Sequence, residues 1–288
     1  MAEIRLREPL AGADAALLER CVNDSAAWQA LPKLGEARRS SVARMQLSAG
    51  PAVVKRYSEP AGFRLLTFAR RSRAEREARA LDLVAASVPD GVIRVLGWGE
   101  ERRLGFVEWS LLVTAELERS FDLRRIKALA GRERSDAVRA VQDRLPQLVA
   151  RLHAGRVFAA TLRGKNVLLQ PATGRIALID LPYAREVSRF GTRHRERDLA
   201  ILSLELSRFL TTAEWQDFLA RYRAAARELG ARDTEIVNAE RVARVAARVG
   251  HRTRASSARK RLRSRFRRTR IGEWMTGHRY ARPGGERD

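Results

Sequence analysis

The stretch HAGRVFAATLRGKNVLLQPATGRIALID, residues 153–180, constrains this chain more than any other part of it. A loop ending in Lys165-Asn166 enters an apolar run, Val167-Leu168-Leu169. A turn follows from Pro171 to Gly174, then a second apolar run from Ile176 to Ile179 that ends on Asp180. Short apolar runs bounded by such a turn read as strands. The pattern leaves an amide, Asn166, and a carboxylate, Asp180, at strand ends.

Upstream, Ser41–Leu47 alternates apolar and polar residues, Ser48-Ala49-Gly50-Pro51 is a turn, and Ala52–Tyr57 is a second strand, which together make a hairpin. Alternation puts Val53, Lys55 and Tyr57 on one face and Val54 and Arg56 on the other. Arg71–Ala86 lacks Gly and Pro and carries a stripe at Ala74, Ala78, Leu81, Val84 and Ala85, so a helix is expected there, closed by Pro89-Asp90-Gly91. Val92–Gly97, Leu104–Trp109 and Leu111–Leu117 read as three further strands. A helix is expected at Ala13–Cys21, within a mixed lead-in over residues 1–34.

The second half is helical. Ser135–His153 is a long amphipathic helix with Pro146 as an expected kink, and Arg197–Leu210, Thr212–Leu229 and Val237–Val249 follow. His153, at a helix end without metal-ligand spacing, reads as structural. The boundaries expected are 1–34, a β-rich lobe over 35–117, a helical lobe over 118–250, and a basic helix and tail over 251–288.

The formal net charge is +23, and residues 251–270 hold ten Arg or Lys and no acid. A field of that size attracts polyanions. No helix-turn-helix, zinc or RNP pattern accompanies it, and aromatics are few in the basic stretch, so nucleic acid is not the expected partner. Ala255, Ala258, Leu262 and Phe266 fall at helical spacing, which suits a basic amphipathic helix at an anionic membrane. The same pattern also fits a solvated helix packed on the helical lobe. No apolar run is long enough to cross a bilayer, the N-terminus has no secretory apolar core, and one cysteine, Cys21, excludes an internal disulfide.

Two pairs of residues could carry chemistry. Lys55 on its strand can meet a helix glutamate, and of the two on offer Glu77 points towards the sheet while Glu75 points to solvent. Asn166 and Asp180 offer the few hard oxygen ligands that Mg²⁺ takes from protein. Either alone reads more simply as a turn residue or a cap; their order with Lys55 and Glu77 makes the joint reading.

VVKRY around Lys55, SRAEREARAL around Glu77, WSLLVTAELERSFDL from Trp109, VARLHAGRVFAATLRGKNVLL, IALIDLPYAR and RERDLAILS around Asp198 resemble the bacterial lipopolysaccharide kinase family (Kdo kinase and core heptose kinase proteins). The resemblance runs from about Leu34 to Tyr222 and implies an α+β, bilobal protein-kinase-like fold, with a small β-rich N-lobe carrying one helix and a larger helical C-lobe. It implies ATP and Mg²⁺ as cofactors and a sugar hydroxyl of lipopolysaccharide core, or another phosphorylated glycolipid, as acceptor. It places the protein in the cytoplasm, peripheral to the inner membrane. Carried over, Lys55 is the nucleotide lysine, Glu77 its partner, Thr114–Leu117 (with Thr114, Glu116 and Leu117) the adenine hinge, Asn166 and Asp180 the Mg²⁺ ligands, and Asp198 a buried anchor under the catalytic loop.

Three departures stand out. Where the family has His-x-Asp-Leu, this chain reads Ala159-Ala160-Thr161-Leu162, so the base position is degenerate. Leu181-Pro182 follows the metal aspartate in place of Phe-Gly, and no Gly-rich loop precedes Lys55 beyond Gly35. A general base contributes roughly 10² to 10⁴ in rate. The sequence therefore leaves two readings open: an active phosphotransferase slowed by Thr161, and a nucleotide-binding pseudokinase or scaffold.

Overall fold

A computed structural model describes residues 3–6, 12–37, 39–59, 67–232 and 237–251. The basic tail expected over 251–288 lies outside the described residues from 252 on. The chain begins with β1 (Glu3–Leu6), α1 (Gly12–Asn23), α2 (Ser25–Ala30), β2 (Lys33–Ala37), β3 (Ser40–Leu47) and β4 (Gly50–Ser58). Next come α3 (Arg73–Ser87), β5 (Val95–Arg103) and β6 (Phe106–Ala115). These six strands form one sheet in the order β1-β5-β6-β4-β3-β2, with every pair antiparallel.

Alternation along the strands builds two apolar layers from one sheet. Ala52 and Val54 of β4 face Met45, Leu47, Leu111 and Val113, and this layer is covered by Leu18, Cys21 and Trp28 from α1 and α2. The described residues within the lead-in expected over 1–34 are integrated with the sheet, to which they add an edge strand and two covering helices. The opposite face carries Tyr57, Trp98 and Leu112, and packs on Ala74, Ala78, Leu81 and Val84 of α3. Ser72 caps α3, its hydroxyl accepting from Glu75 N at 3.2 Å.

The strands expected at Leu104–Trp109 and Leu111–Leu117 are one strand, β6, and the turn falls at Leu104-Gly105. Both turn residues have positive φ, +52° and +83°, as a two-residue hairpin between right-twisted strands requires. Leu104 is an apolar residue at a loop tip, 85% exposed, so its side chain gave a misleading strand signal.

The second half contains β7 (Phe121–Asp122), α4 (Gly131–Ala154), β8 (Val157–Phe158), β9 (Val167–Gln170), β10 (Arg175–Leu178), β11 (Arg185–Glu186), α5 (Thr192–Leu206), α6 (Thr212–Glu228) and a last helix over residues 239–251. α4 passes through Pro146 without interruption. Leu145, Val149 and Leu152 from α4 pack with Leu199 and Leu202 from α5 and Phe218 and Tyr222 from α6. β9 and β10 form the hairpin that ends on Asp180, with β7 as its third strand. The architecture is a sheet-rich N-lobe over a helical C-lobe, a kinase-like fold.

Candidate active site

Lys55 is placed by the β4–β6 register opposite Leu112, on the sheet face that looks at α3. Its ammonium donates to Asp180 Oδ1 at 2.6 Å and lies 3.2 Å from both carboxylate oxygens of Glu77. The choice of Glu77 over Glu75 is the geometry observed. Glu75 differs from expectation in one respect: it is buried, 8% exposed, because Arg79 at 2.9 Å and Arg71 at 3.6 Å close over it.

Burial pushes the Glu77 carboxyl up from its ordinary value, and the Lys55 charge opposes that. Tyr57 donates its hydroxyl to Glu77 Oε2, and burial first, then the Glu77 charge, push the phenol well up. Tyr57 was missed as a site residue, although alternation already set it on the face of Lys55.

At the other wall, Asn166 follows a one-turn 3₁₀ segment, Gly164–Asn166, that delivers the loop into β9. Its Nδ2 donates to the Thr161 carbonyl at 2.9 Å and to the Asp180 carbonyl at 3.0 Å, which fixes the amide's orientation. Asn166 Oδ1 is left buried without a hydrogen-bond partner among the described residues. A buried acceptor with no donor is costly unless something else occupies its lone pairs. A hard cation does so, and Asp180 supplies the nearby carboxylate, so these residues fit Mg²⁺.

Asp180 carries a left-handed backbone, φ +51°, as does Ala160, φ +60°, on the facing loop. Non-glycine residues in that region cluster at functional sites, where surrounding contacts hold them. Here the contacts are explicit. Asp198, 0% exposed, accepts from Ala159 N at 2.8 Å and Ala160 N at 2.9 Å, pinning the loop through its backbone. His153 stands beside it: Nδ1 is 2.8 Å from the Tyr222 hydroxyl and Nε2 is 3.5 Å from Asp198. Burial lowers the His153 pKa, with Asp198 pulling the other way.

Thr161 sits at the turn of this loop with its Oγ1 buried and without a hydrogen-bond partner among the described residues. The loop closes by tight turns, Thr161 N on the Ala159 carbonyl at 2.7 Å and Arg163 N on the Thr161 carbonyl at 2.8 Å. Lys165, which the sequence left unassigned, comes within 3.4 Å of Asp180 Oδ2.

Between these walls lies a cleft of about 950 Å³. Apolar residues that line it include Val53, Leu81, Leu112, Leu117, Leu168 and Ile179, and charged ones include Lys55, Glu77 and Asp180. Thr114, Glu116 and Leu117 all line it. The Glu116 side chain is taken by Arg44, at 2.6 and 2.5 Å, and its N–H donates to the Pro51 carbonyl, so of this residue only the backbone carbonyl remains to meet a ligand. Asp122 and Ser120 also line the cleft and were not foreseen. Hydrogen bonds from Arg124 hold the Asp122 carboxyl below its ordinary value.

A sequence model of the lipopolysaccharide kinase (Kdo/WaaP) family matches residues 64–222, more than half of the chain. Glu77, Asn166, Asp180 and Asp198 fall inside that match and Lys55 falls before it. Among solved structures, WaaP in complex with acyl carrier protein matches with a TM-score of 0.52 and 22% sequence identity, covering 76% of this chain and 88% of that one. At that identity the likeness speaks for the fold. No curated protein sequence matches the chain.

Proposed function

The chain belongs to the lipopolysaccharide kinase (Kdo/WaaP) family, and from that premise we propose that it moves the γ-phosphate of ATP to a sugar hydroxyl of lipopolysaccharide core. One observation carries the reading. Lys55, Glu77 and Asp180 form a charge cluster in a cleft with many apolar lining residues, beside an Asn166 oxygen that has no hydrogen-bond partner among the described residues.

In this reading the apolar wall and the Thr114–Leu117 segment hold the adenine, and Lys55 holds the α and β phosphates while Glu77 fixes its position. Asn166 Oδ1 and Asp180 hold Mg²⁺, which when bound neutralises charge on the phosphates. Asp198 keeps the Ala159–Thr161 loop in place through two backbone N–H groups. Phosphoryl transfer passes through a loose transition state in which the attacking oxygen is little bonded. The acceptor hydroxyl can therefore keep its proton until late. A bond forms between that oxygen and the γ-phosphorus, the bond to the ADP oxygen breaks, and the proton leaves to the transferred phosphate or to water. Thr161 stands where a general base would, with a buried hydroxyl that cannot hold a proton at neutral pH.

The high positive charge supports work at an anionic surface, the cytoplasmic face of the inner membrane, at about 1 kcal/mol for each basic residue that reaches it. Among the described residues no helix is long and apolar enough to cross a membrane.

Thr161 motivates a second reading, a nucleotide-binding pseudokinase of the same fold. Purified protein with Mg·ATP and core glycolipid separates the two, with phosphate transfer followed for wild type, Asp180→Ala and Thr161→Asp. The first reading expects transfer by wild type, loss in Asp180→Ala, and a gain of about 10²-fold in Thr161→Asp. A silent wild type with an active Thr161→Asp selects the pseudokinase. Absence of Mg·ATP binding would overturn both.

A further inference from the structure

Arg39, Arg70, Arg71, Arg73 and Arg76 line a recess of about 570 Å³ at the start of α3, outside the nucleotide cleft. Glu59 is the one acid among the described residues that line it. Five arginines lining one hollow concentrate positive charge there, and an anion sitting among them would relieve their mutual repulsion. Arg70 and Arg76 make no ion pair among the described residues, and Arg71 reaches Glu75 only at 3.6 Å. Arginine at such a density suits a phosphate, whose oxygens accept two parallel N–H bonds from each guanidinium.

The rim of the recess adds a second kind of surface. Tyr183, three residues beyond Asp180, lines it and is 62% exposed. An exposed ring with a polar tip suits a partner that is itself both apolar-faced and hydroxylated, such as a sugar ring. A recess of this volume is in the range of small-ligand sites.

Arg73 ties the recess to the cleft, since it lines both. Its guanidinium lies over the Tyr57 ring, 4.5 Å from the centroid, and Tyr57 in turn donates to the Glu77 that holds Lys55. Arg73 is thus joined to the nucleotide lysine by three contacts, through Tyr57 and Glu77.

We propose that the recess is an acceptor subsite, in which Arg70, Arg73 and Arg76 bind a phosphate already present on the sugar acceptor and Tyr183 packs on the ring that carries it. The proposal rests on the kinase reading above for the identity of the acceptor. A concave site beside the cleft favours a phosphosugar over a planar lipid surface, which would be met by exposed basic side chains without a recess.

The test is a binding measurement that requires no transfer. Full-length wild type and the double variant Arg70→Gln/Arg76→Gln are saturated with Mg·ADP and titrated calorimetrically with core glycolipid, before and after removal of its phosphates with hydrofluoric acid. Loss of charge-assisted hydrogen bonds predicts that the variant binds phosphorylated core about 10- to 100-fold more weakly. Both proteins should bind the dephosphorylated core alike. Equal affinity of both proteins for phosphorylated core overturns the subsite, as does an equal loss on both forms of core. Phosphatidylglycerol vesicles that show the same wild-type preference would assign the recess to lipid headgroups and also overturn it. A wild type that binds in this pattern yet transfers no phosphate would break the kinase reading and leave the subsite standing.

Discussion

The two walls of the cleft have been treated differently. On the Lys55 side every charged group has a partner: Lys55 on Glu77 and Asp180, Tyr57 on Glu77, Arg73 over Tyr57. On the loop side the scaffold is equally complete, with Asp198 holding two backbone N–H groups and Leu162 fully buried, yet the side chain at its turn is Thr161 and not a carboxylate. The loop is therefore held by its backbone and by Asp198, and its shape does not depend on the residue at 161. What distinguishes the walls is charge at one position, which makes the proton step separable from the phosphate-holding steps.

The largest expected effect breaks the charged wall. Asp180→Ala removes the proposed metal carboxylate and leaves Lys55 facing Glu77 alone, and should lower kcat/KM by about 10³-fold or more, given what a single charge-stabilising group contributes. Binding of Mg·ADP should weaken in parallel, by calorimetry. Asp198→Ala breaks the other wall through its scaffold. A fully buried carboxylate accepting two N–H bonds is worth about 3 kcal/mol, so the urea midpoint should fall with the m-value unchanged. If stability holds in Asp198→Ala, the loop is not pinned by this residue.

How much of this was legible in the sequence divides along the same line. Lys55 and Glu77 were readable because strand alternation and helical period each fix a face. Asn166 and Asp180 were readable because they bracket one hairpin. Arg73 and the arginine recess were not, because they depend on contacts between β4, α3 and the segment after Asp180, which no local period encodes; alternation put Tyr57 on the Lys55 face but could not show that it meets Glu77. Glu75 was misplaced because a period assigns a face and cannot show that Arg79 will cover it. The β5–β6 turn was misread because Leu104 is apolar where geometry, and not burial, chose the conformation.

A third expectation concerns the hydrogen-bonded back of the loop. Burial keeps His153 neutral below its ordinary value near 6.5, while the unfolded chain protonates there. The unfolded state then binds more protons as pH falls below 6.5, so stability declines with falling pH, by at most about 1.4 kcal/mol per pH unit for this one group. His153→Gln, which can keep a contact to Tyr222, should flatten the wild-type curve between pH 6.5 and 5.5 in thermal or urea unfolding. Identical slopes for the two proteins would show that His153 does not titrate in that window.

The smallest expected effect is the sharpest on the comparison itself. Thr161 Oγ1 is buried and has no hydrogen-bond partner among the described residues, so replacing the residue by the isosteric valine removes a polar atom that gains nothing from the fold. Exchange of an unsatisfied hydroxyl for a methyl is close to neutral or slightly stabilising. If the buried hydroxyl takes no part in the proton step, Thr161→Val should retain transfer to within about tenfold, the scale of one neutral hydrogen bond. A loss of about 10² or more would put it on the scale of general base catalysis and give the loop wall a chemical role after all. Measured beside Thr161→Asp, the valine variant decides whether position 161 lacks a base that the fold could use, or holds a hydroxyl that the reaction already uses.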